Sequence, residues 1–204
     1  MQRLPCTRCG DSIHPDTARQ NAGLCMPCVR GNQLSIEQRN AQRQQQREEE
    51  RAHRESPGHR YWTALVHRVY NATGGFDALP HGDRLYYLIN VLQGEVHNGG
   101  FEQFFSNSSG DRYAQTVAAL TEVSDHACLR LLQAAKLALF SDDEVPTDQA
   151  ARFDRMPAAA EDHPAHQATW QTLEALDAQF YADSSSLDAA LDKIVTHYKL
   201  YAPA

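Results

Sequence analysis

Residues 85–110, LYYLINVLQGEVHNGGFEQFFSNSSG, constrain the fold more than any other part of this chain. Apolar residues recur in them at spacings of three and four, which predicts a helix with one buried face. The residues of this stripe are Leu85, Leu88, Ile89, Leu92 and Val96. Asn98, Gly99 and Gly100 should end the helix, because glycine tolerates the left-handed backbone that closes a helix C-terminus. We expect a second, shorter helix to follow directly.

The second helix brings three aromatic rings to one face, because Phe101, Phe104 and Phe105 are spaced at i, i+3 and i+4. We therefore predict that these rings are a structural hub of the core. Polar residues surround the same turn, and they leave the alternative of a ligand site beside Gly99 and Gly100. They are Glu95, Asn98, Gln103 and Asn107.

The run EVHNGGFEQFFSNSSG, together with the helix before it and the alanine-rich helices after it, resembles the signature of the DNA-mimic protein family. The resemblance covers roughly residues 61–201. It implies a compact helical domain of bacterial origin. One member of that family is an acidic protein that imitates DNA and so occupies a DNA-binding transcription factor, which implies a basic protein partner.

The sequence contains few signs of catalysis. It has no HExxH zinc-protease pattern, no phosphate-binding glycine loop and no nucleophile elbow. Glu95 and His97 are two residues apart, so on a helix their side chains point in different directions. We expect a binding protein, with an uncharacterised enzyme or ligand-binding domain centred on the NGGFEQFF motif, residues 98–105, as the alternative.

The N-terminus carries the spacing of a metal site. Cys6, Cys9, Cys25 and Cys28 form a C-x2-C-x15-C-x2-C pattern, in which two cysteine knuckles can surround a tetrahedral zinc ion. Four thiolates leave no position for water, so the zinc would be structural and would supply the folding energy of a short, zinc-ribbon-like module. His14 could replace one cysteine, but four cysteines already complete the shell.

The next segment, residues 32–57, is rich in Arg, Gln and Glu and poor in apolar side chains. Ser35 and Gln38 form a capping box, so we predict a solvated helix that acts as a spacer. The alternative is a basic strip of seven arginines, from Arg30 to Arg60, that contacts nucleic acid. Interleaved glutamates and the absence of aromatic residues argue against that alternative.

Charge separates the two ends of the chain. Residues 1–60 hold ten basic and seven acidic residues, a net charge of +3, whereas residues 61–204 hold nine basic and nineteen acidic residues, a net charge of −10. We therefore predict three parts: a zinc-binding module over residues 1–31, a helical linker over 32–57 and an acidic all-α domain over 58–204. Any direct contact with nucleic acid should involve the first two parts only.

Acidic residues of the helical domain recur one turn apart or cluster in a loop. An ordinary solvated face is one interpretation; the other is a surface for a basic partner such as a DNA-binding protein or a nuclease, in mimicry or in defence-type inhibition. We call this set the candidate acidic surface. It comprises Asp142, Asp143, Glu144, Glu174, Asp177, Asp188 and Asp192.

The expected location is the cytoplasm. No run of about 18 apolar residues occurs, and the N-terminal MQRLPCTRCG lacks the apolar segment of a signal peptide. Five cysteines suit that compartment better as thiols or thiolates than as disulfides.

Overall fold

The computed structural model describes residues 3–31, 36–157, 164–183 and 185–202. The chain divides into two compact units, residues 1–56 and residues 57–204, each with its own buried cluster. The prediction of an all-α fold is confirmed. None of the helices in the described ranges is both long and apolar enough to cross a membrane.

The first unit is built around its cysteines. It begins with β1 (Leu4–Pro5) and β2 (Ser12–Ile13), which pair antiparallel and are too short to leave an alternating pattern in the sequence. Two short helices follow, α1 (Pro15–Gln20) and α2 (Met26–Val29). Among the described residues of this unit, the four cysteines and Ile13 are buried.

A long polar helix, α3 (Ile36–Glu55), completes the first unit. Every side chain from Asn40 to Glu55 is exposed, as expected for a helix without an apolar face. Gln44 and Gln45 each donate to a glutamate one turn later, which supports the helix locally. The predicted capping residue Ser35 lies outside the described residues.

The second unit is a bundle of seven α-helices and two short 3-10 helices in its described residues. In chain order these are α4 (Pro57–Asn71), a 3-10 helix (Gly75–Ala78), α5 (His81–Ser106), a 3-10 helix (Ser108–Arg112), α6 (Tyr113–Glu122), α7 (His126–Phe140), α8 (Gln149–Arg155), α9 (Pro164–Ala182) and α10 (Ser185–Tyr198).

Helix α5 is the centre of this bundle and packs against each of the other six α-helices. The predicted stripe faces the core, and Ile89, Leu92 and Val96 are fully buried. Burying one such side chain stabilises a fold by about 1.5 to 3 kcal/mol relative to leaving it exposed. The stripe therefore explains why one helix organises the domain.

Three details differ from simple periodicity. Tyr70, which shares the apolar face of α4 in the sequence, is 69% exposed, because it lies in the last turn of that helix. Proline often occupies the first turn of a helix, but Pro80 is the N-cap of α5. Ser124 and Asp125 both suit the N-cap of α7, and the chain uses Asp125, whose side chain accepts the backbone N–H of Cys128 at 3.0 Å.

Candidate functional site

The NGGFEQFF motif forms a kink within α5. Gly99 and Gly100 both leave helical geometry, and Gly100 has a φ of 75°, in the left-handed region that favours glycine. A Cβ at Gly100 would lie 2.2 Å from the Asp177 carboxylate, so the close approach also requires glycine. The predicted helix end is therefore found as a sharp bend between two helical segments.

The three phenylalanines after the kink are fully buried. The ring of Phe101 meets Phe180 of α9 edge-on, with centroids 5.7 Å apart, and the ring of Phe105 meets Phe140 of α7 at 5.4 Å. Phe104 lies 5.2 Å from Phe105. The rings join three helices inside the core, an arrangement that suits a structural hub.

Helix α9 stabilises the kink from outside with two side chains one turn apart. The carboxylate of Asp177 accepts the backbone N–H of Phe101 at 2.8 Å, and the hydroxyl of Tyr181 donates to the carbonyl of Val96 at 2.8 Å. A break in a helix deprives such groups of their usual partners, and α9 replaces them. Asp177, a member of the candidate acidic surface, thus has a structural role as well.

The polar residues of the motif converge on one carboxylate. Gln103 donates to Oε2 of Glu95 at 2.6 Å, and Asn107 donates to the same oxygen at 2.9 Å. Asn98 donates to the side-chain oxygen of Gln103 at 3.3 Å. The amides thereby fix the orientation of the Glu95 carboxylate, which lines a cavity.

Arg152 is a key residue that periodicity did not single out. This α8 side chain is fully buried and donates to the carbonyls of Phe105, Asn107 and Pro146 at 2.7 to 2.9 Å. It also forms an ion pair with Asp111 at 2.6 Å. Arg152 therefore donates to carbonyl groups at and just beyond the end of α5.

The candidate acidic surface is distributed over several elements. Asp142, Asp143 and Glu144 are exposed in the loop after α7, and Asp188 and Asp192 are exposed on α10. Asp188 also accepts a hydrogen bond from Gln93 of α5 at 2.8 Å.

One acidic group forms beside the kink, and it includes a residue that the sequence did not single out. Burial raises the pKa of Glu102, and the charge of Asp177 raises it further. Burial also raises the pKa of Asp177, in opposition to the Phe101 N–H, and Glu174 adds to that rise. Asp177 thus lies close enough to both Glu102 and Glu174 for like charges to repel.

The four N-terminal cysteines form a cluster suited to a metal ion. All four are buried, and their sulfur atoms lie within 4.8 Å of one another. The Sγ atoms of Cys6 and Cys28 are 3.8 Å apart, and those of Cys9 and Cys25 are 3.6 Å apart. Sulfur ligands around a tetrahedral zinc at about 2.3 Å are separated by about 3.8 Å, so the spacing fits such a shell.

The surroundings of Cys6 favour its thiolate, whereas burial raises the pKa of Cys9 and of Cys28. Burial raises the pKa of the Cys6 thiol, but backbone N–H groups of Cys25, Cys9 and Arg8 outweigh it and lower that pKa to about 6. The Cys25 N–H lies 3.2 Å from the Cys6 sulfur. Backbone donors of this kind are typical of cysteine knuckles, because they stabilise negative charge on sulfur.

Two arginines hold the backbone of the cluster. Arg39 of α3 donates to the carbonyl of Cys9 at 2.8 Å and forms an ion pair with Asp11, which raises the pKa of Arg39. Arg8 donates to the carbonyl of Cys28 at 3.2 Å. The polar helix is thereby tied to the cysteine module through one of its own arginines.

The fifth cysteine, Cys128, lies apart from this cluster in the core of the second unit. It is buried, and burial raises the pKa of its thiol. A protonated thiol behaves as a small apolar side chain.

Comparison with known proteins assigns the second unit to a family. No curated protein and no solved structure matches the chain. A family model described as DMP19-like protein matches residues 77–198, a range that contains the kink, the phenylalanines and Arg152. Because this match covers more than half of its length, the chain belongs to the DMP19-like protein family.

Proposed function

We propose that this chain is a non-catalytic binding protein whose acidic helical domain engages a basic protein partner. The observation that carries the proposal is the group of Glu102, Glu174 and Asp177 beside the kink. The charge of Asp177 raises the pKa of Glu102, and the charge of Glu174 raises the pKa of Asp177, so an approaching cationic surface would relieve this repulsion. The domain, residues 57–204, holds nineteen acidic and ten basic residues, a net charge of −9, which would attract such a partner from a distance.

The partner we favour is a DNA-binding protein or a nuclease, because such proteins carry the basic surfaces that phosphate groups normally occupy. Carboxylates of the candidate acidic surface would take the place of phosphates, as in DNA mimicry or in the inhibition of a nuclease for defence. Ionic contacts of this kind weaken as salt rises, so strong salt dependence is the expected signature.

The test is capture of proteins from a lysate of the source cell on the immobilised full-length chain. We expect a DNA-binding protein or a nuclease to be retained at low salt and released at high salt. Combined replacement of Glu174→Gln, Asp188→Asn and Asp192→Asn should abolish its capture. Asp177 is left intact, because its carboxylate stabilises the kink.

The matched control places the same change of charge elsewhere. Glu48→Gln, Glu49→Gln and Glu50→Gln remove three exposed carboxylates from α3 and should leave capture unchanged. If both triple variants lose capture equally, capture depends on the net charge of the chain and not on the position of the carboxylates. Undiminished capture by the first variant would contradict the proposal.

We propose that the N-terminal module holds one structural zinc ion through Cys6, Cys9, Cys25 and Cys28. The sulfur spacing and the closed four-thiolate shell support this choice of metal and role. Metal analysis of the purified chain should give about one zinc per chain, and Cys25→Ser should lower that content. Cys128→Ala is the control and should retain full metal content.

A second candidate function is a nucleic-acid-tethered adaptor. Arg43, Arg47 and Arg51 are exposed on α3 at spacings of four, so they share one side of the helix. Fluorescence anisotropy with a labelled DNA duplex would detect such binding. Binding that is lost when all three arginines become glutamine would favour the adaptor, whereas no binding at low salt would exclude it.

A further inference from the structure

A cavity of about 390 Å³ lies among α4, α5, α6 and the two 3-10 helices. Its walls combine apolar side chains of α4 and α5, such as Val69 and Val91, with hydroxyl and charged groups. This volume and this mixture are typical of sites for small ligands. The candidate acidic surface contributes none of its lining residues.

Glu95 has a fixed position in this cavity. Gln103 and Asn107 both donate to its Oε2 atom, at 2.6 and 2.9 Å. The amides of the motif thus hold Oε2 of Glu95. Neither of these two amides, both in the described part of the chain, donates to the other carboxylate oxygen, Oε1. An oriented carboxylate is a usual means of binding a positively charged group.

The other charges that line the cavity occur in pairs. Arg112 lies 3.6 Å from Asp77 and stacks on the ring of Phe76 at 3.9 Å. Asp111 forms its ion pair with the buried Arg152. Within the described part of the chain, no basic side chain forms an ion pair with Glu95. One negative charge therefore remains uncompensated.

The remaining walls suit the body of an organic cation. The hydroxyl groups of Tyr70 and Tyr87 are 3.4 Å apart and can accept hydrogen bonds from a cationic head group. Leu88 and Val91 provide apolar surface for an aliphatic stem. An inorganic cation would leave that apolar surface unused.

We propose that this cavity binds a small organic cation, an ammonium or guanidinium group on a short aliphatic stem, with Glu95 as its anionic partner. The stem lies against the apolar wall of α5, and the head group contacts Oε1 of Glu95. This site is separate from the partner surface proposed above. In this proposal, the amides of the motif position Glu95, while its phenylalanines pack in the core.

Isothermal titration of the full-length chain with n-butylammonium tests the proposal, with n-butanol as the neutral control. We expect the ammonium compound to bind and the alcohol to bind at least about tenfold more weakly, because it lacks the charge. Glu95→Gln should also lower the affinity of the chain for n-butylammonium by about tenfold. Glu122→Gln removes a carboxylate outside the cavity and should leave the affinity unchanged.

Two further measurements keep the test decisive. Val91→Phe fills the cavity without touching the charge and should abolish binding, and circular dichroism verifies that each variant is folded. Nα-acetyl-lysine N-methylamide separates the two sources of such a cation. If this lysine derivative binds like n-butylammonium, the site can accept a lysine side chain of another protein. If n-butylammonium binds and the lysine derivative does not, the ligand is a small molecule.

The proposal is overturned if n-butylammonium does not bind, or if either Glu95→Gln or Val91→Phe binds it as the unchanged chain does. Either result leaves the partner surface untouched, since the substitutions that test that surface lie outside the cavity.

Discussion

Replacing Arg152 with methionine should destabilise the helical domain more than any surface substitution. The arginine is fully buried, and its three nitrogen atoms donate to three backbone carbonyls and pair with Asp111. Methionine retains much of the apolar stem but removes the donors that reach the carbonyls of Phe105 and Pro146, whereas the carbonyl of Asn107 keeps the backbone N–H of Gly110 at 3.1 Å. Asp111 is exposed, so the loss comes mainly from the two carbonyls: a buried acceptor left without its donor costs about 1 to 3 kcal/mol, and together they should cost about 3 to 5 kcal/mol.

This loss is measurable without interference from the metal module. Both tryptophans of the chain, Trp62 and Trp170, lie in the helical domain, so urea unfolding followed by tryptophan fluorescence reports on that domain. A loss of this size corresponds to a decrease of roughly 6 to 20 °C in the melting temperature, at 2 to 4 °C per kcal/mol for a domain of this length.

Arg155→Met is the matched control, because Arg155 is exposed on the same helix. It should change the free energy of unfolding by no more than about 0.5 kcal/mol. If Arg152→Met unfolds at the same urea concentration as Arg155→Met, the hydrogen bonds of Arg152 do not support the end of α5, and the reasoning is wrong.

Three further predictions concern the kink, its carboxylates and the metal. Gly100→Ala should destabilise the domain, because a Cβ there meets Asp177 and φ is positive, whereas Gly94→Ala, in open space on the same helix, should stabilise it by about 0.5 to 1 kcal/mol in the same urea assay. Glu102→Gln should stabilise the domain by less than about 1 kcal/mol at neutral pH, because the carboxyl is largely solvent-screened. Since folding raises the pKa of Glu102, the folded state loses stability as pH rises from the unfolded to the folded pKa, and urea titrations across that interval should show a smaller loss for Glu102→Gln. Removal of the proposed zinc ion by a chelator should unfold residues 3–31, seen by far-ultraviolet circular dichroism, and leave the tryptophan-detected transition of the helical domain unchanged.

Short-range patterns predicted α5, because its apolar residues recur at spacings of three and four, and α3, because a capping box precedes a run of polar helix-forming residues. The same patterns could not reveal Arg152, whose carbonyl partners at Phe105 and Asn107 are 47 and 45 residues away in sequence. In α8 the adjacent Phe153 is 69% exposed while the arginine is buried, the reverse of what hydrophobicity predicts. Arg152 is buried because it hydrogen-bonds to carbonyls at the end of α5. Such contacts between distant residues produce no periodic pattern in the sequence.

The cysteine pattern was the most informative short motif, since its spacing determines which sulfur atoms can meet. The sequence also indicated the polar residues around the kink, but not that Gln103 and Asn107 share Glu95 as their acceptor. That convergence depends on the direction of the chain after Gly100. A bend with a left-handed residue has several geometries, and local sequence does not choose among them.

The two contacts of α9 at the kink have a consequence for the order of folding. Asp177 and Tyr181 are 76 and 85 residues away from the groups of α5 that they bind. In a nascent or denatured chain, the first part of α5 can form alone, but the bend has no nearby partner and should fray at Gly99. Closing so long a loop is entropically costly, so the segment with the most recognisable sequence should be among the last to reach its native conformation.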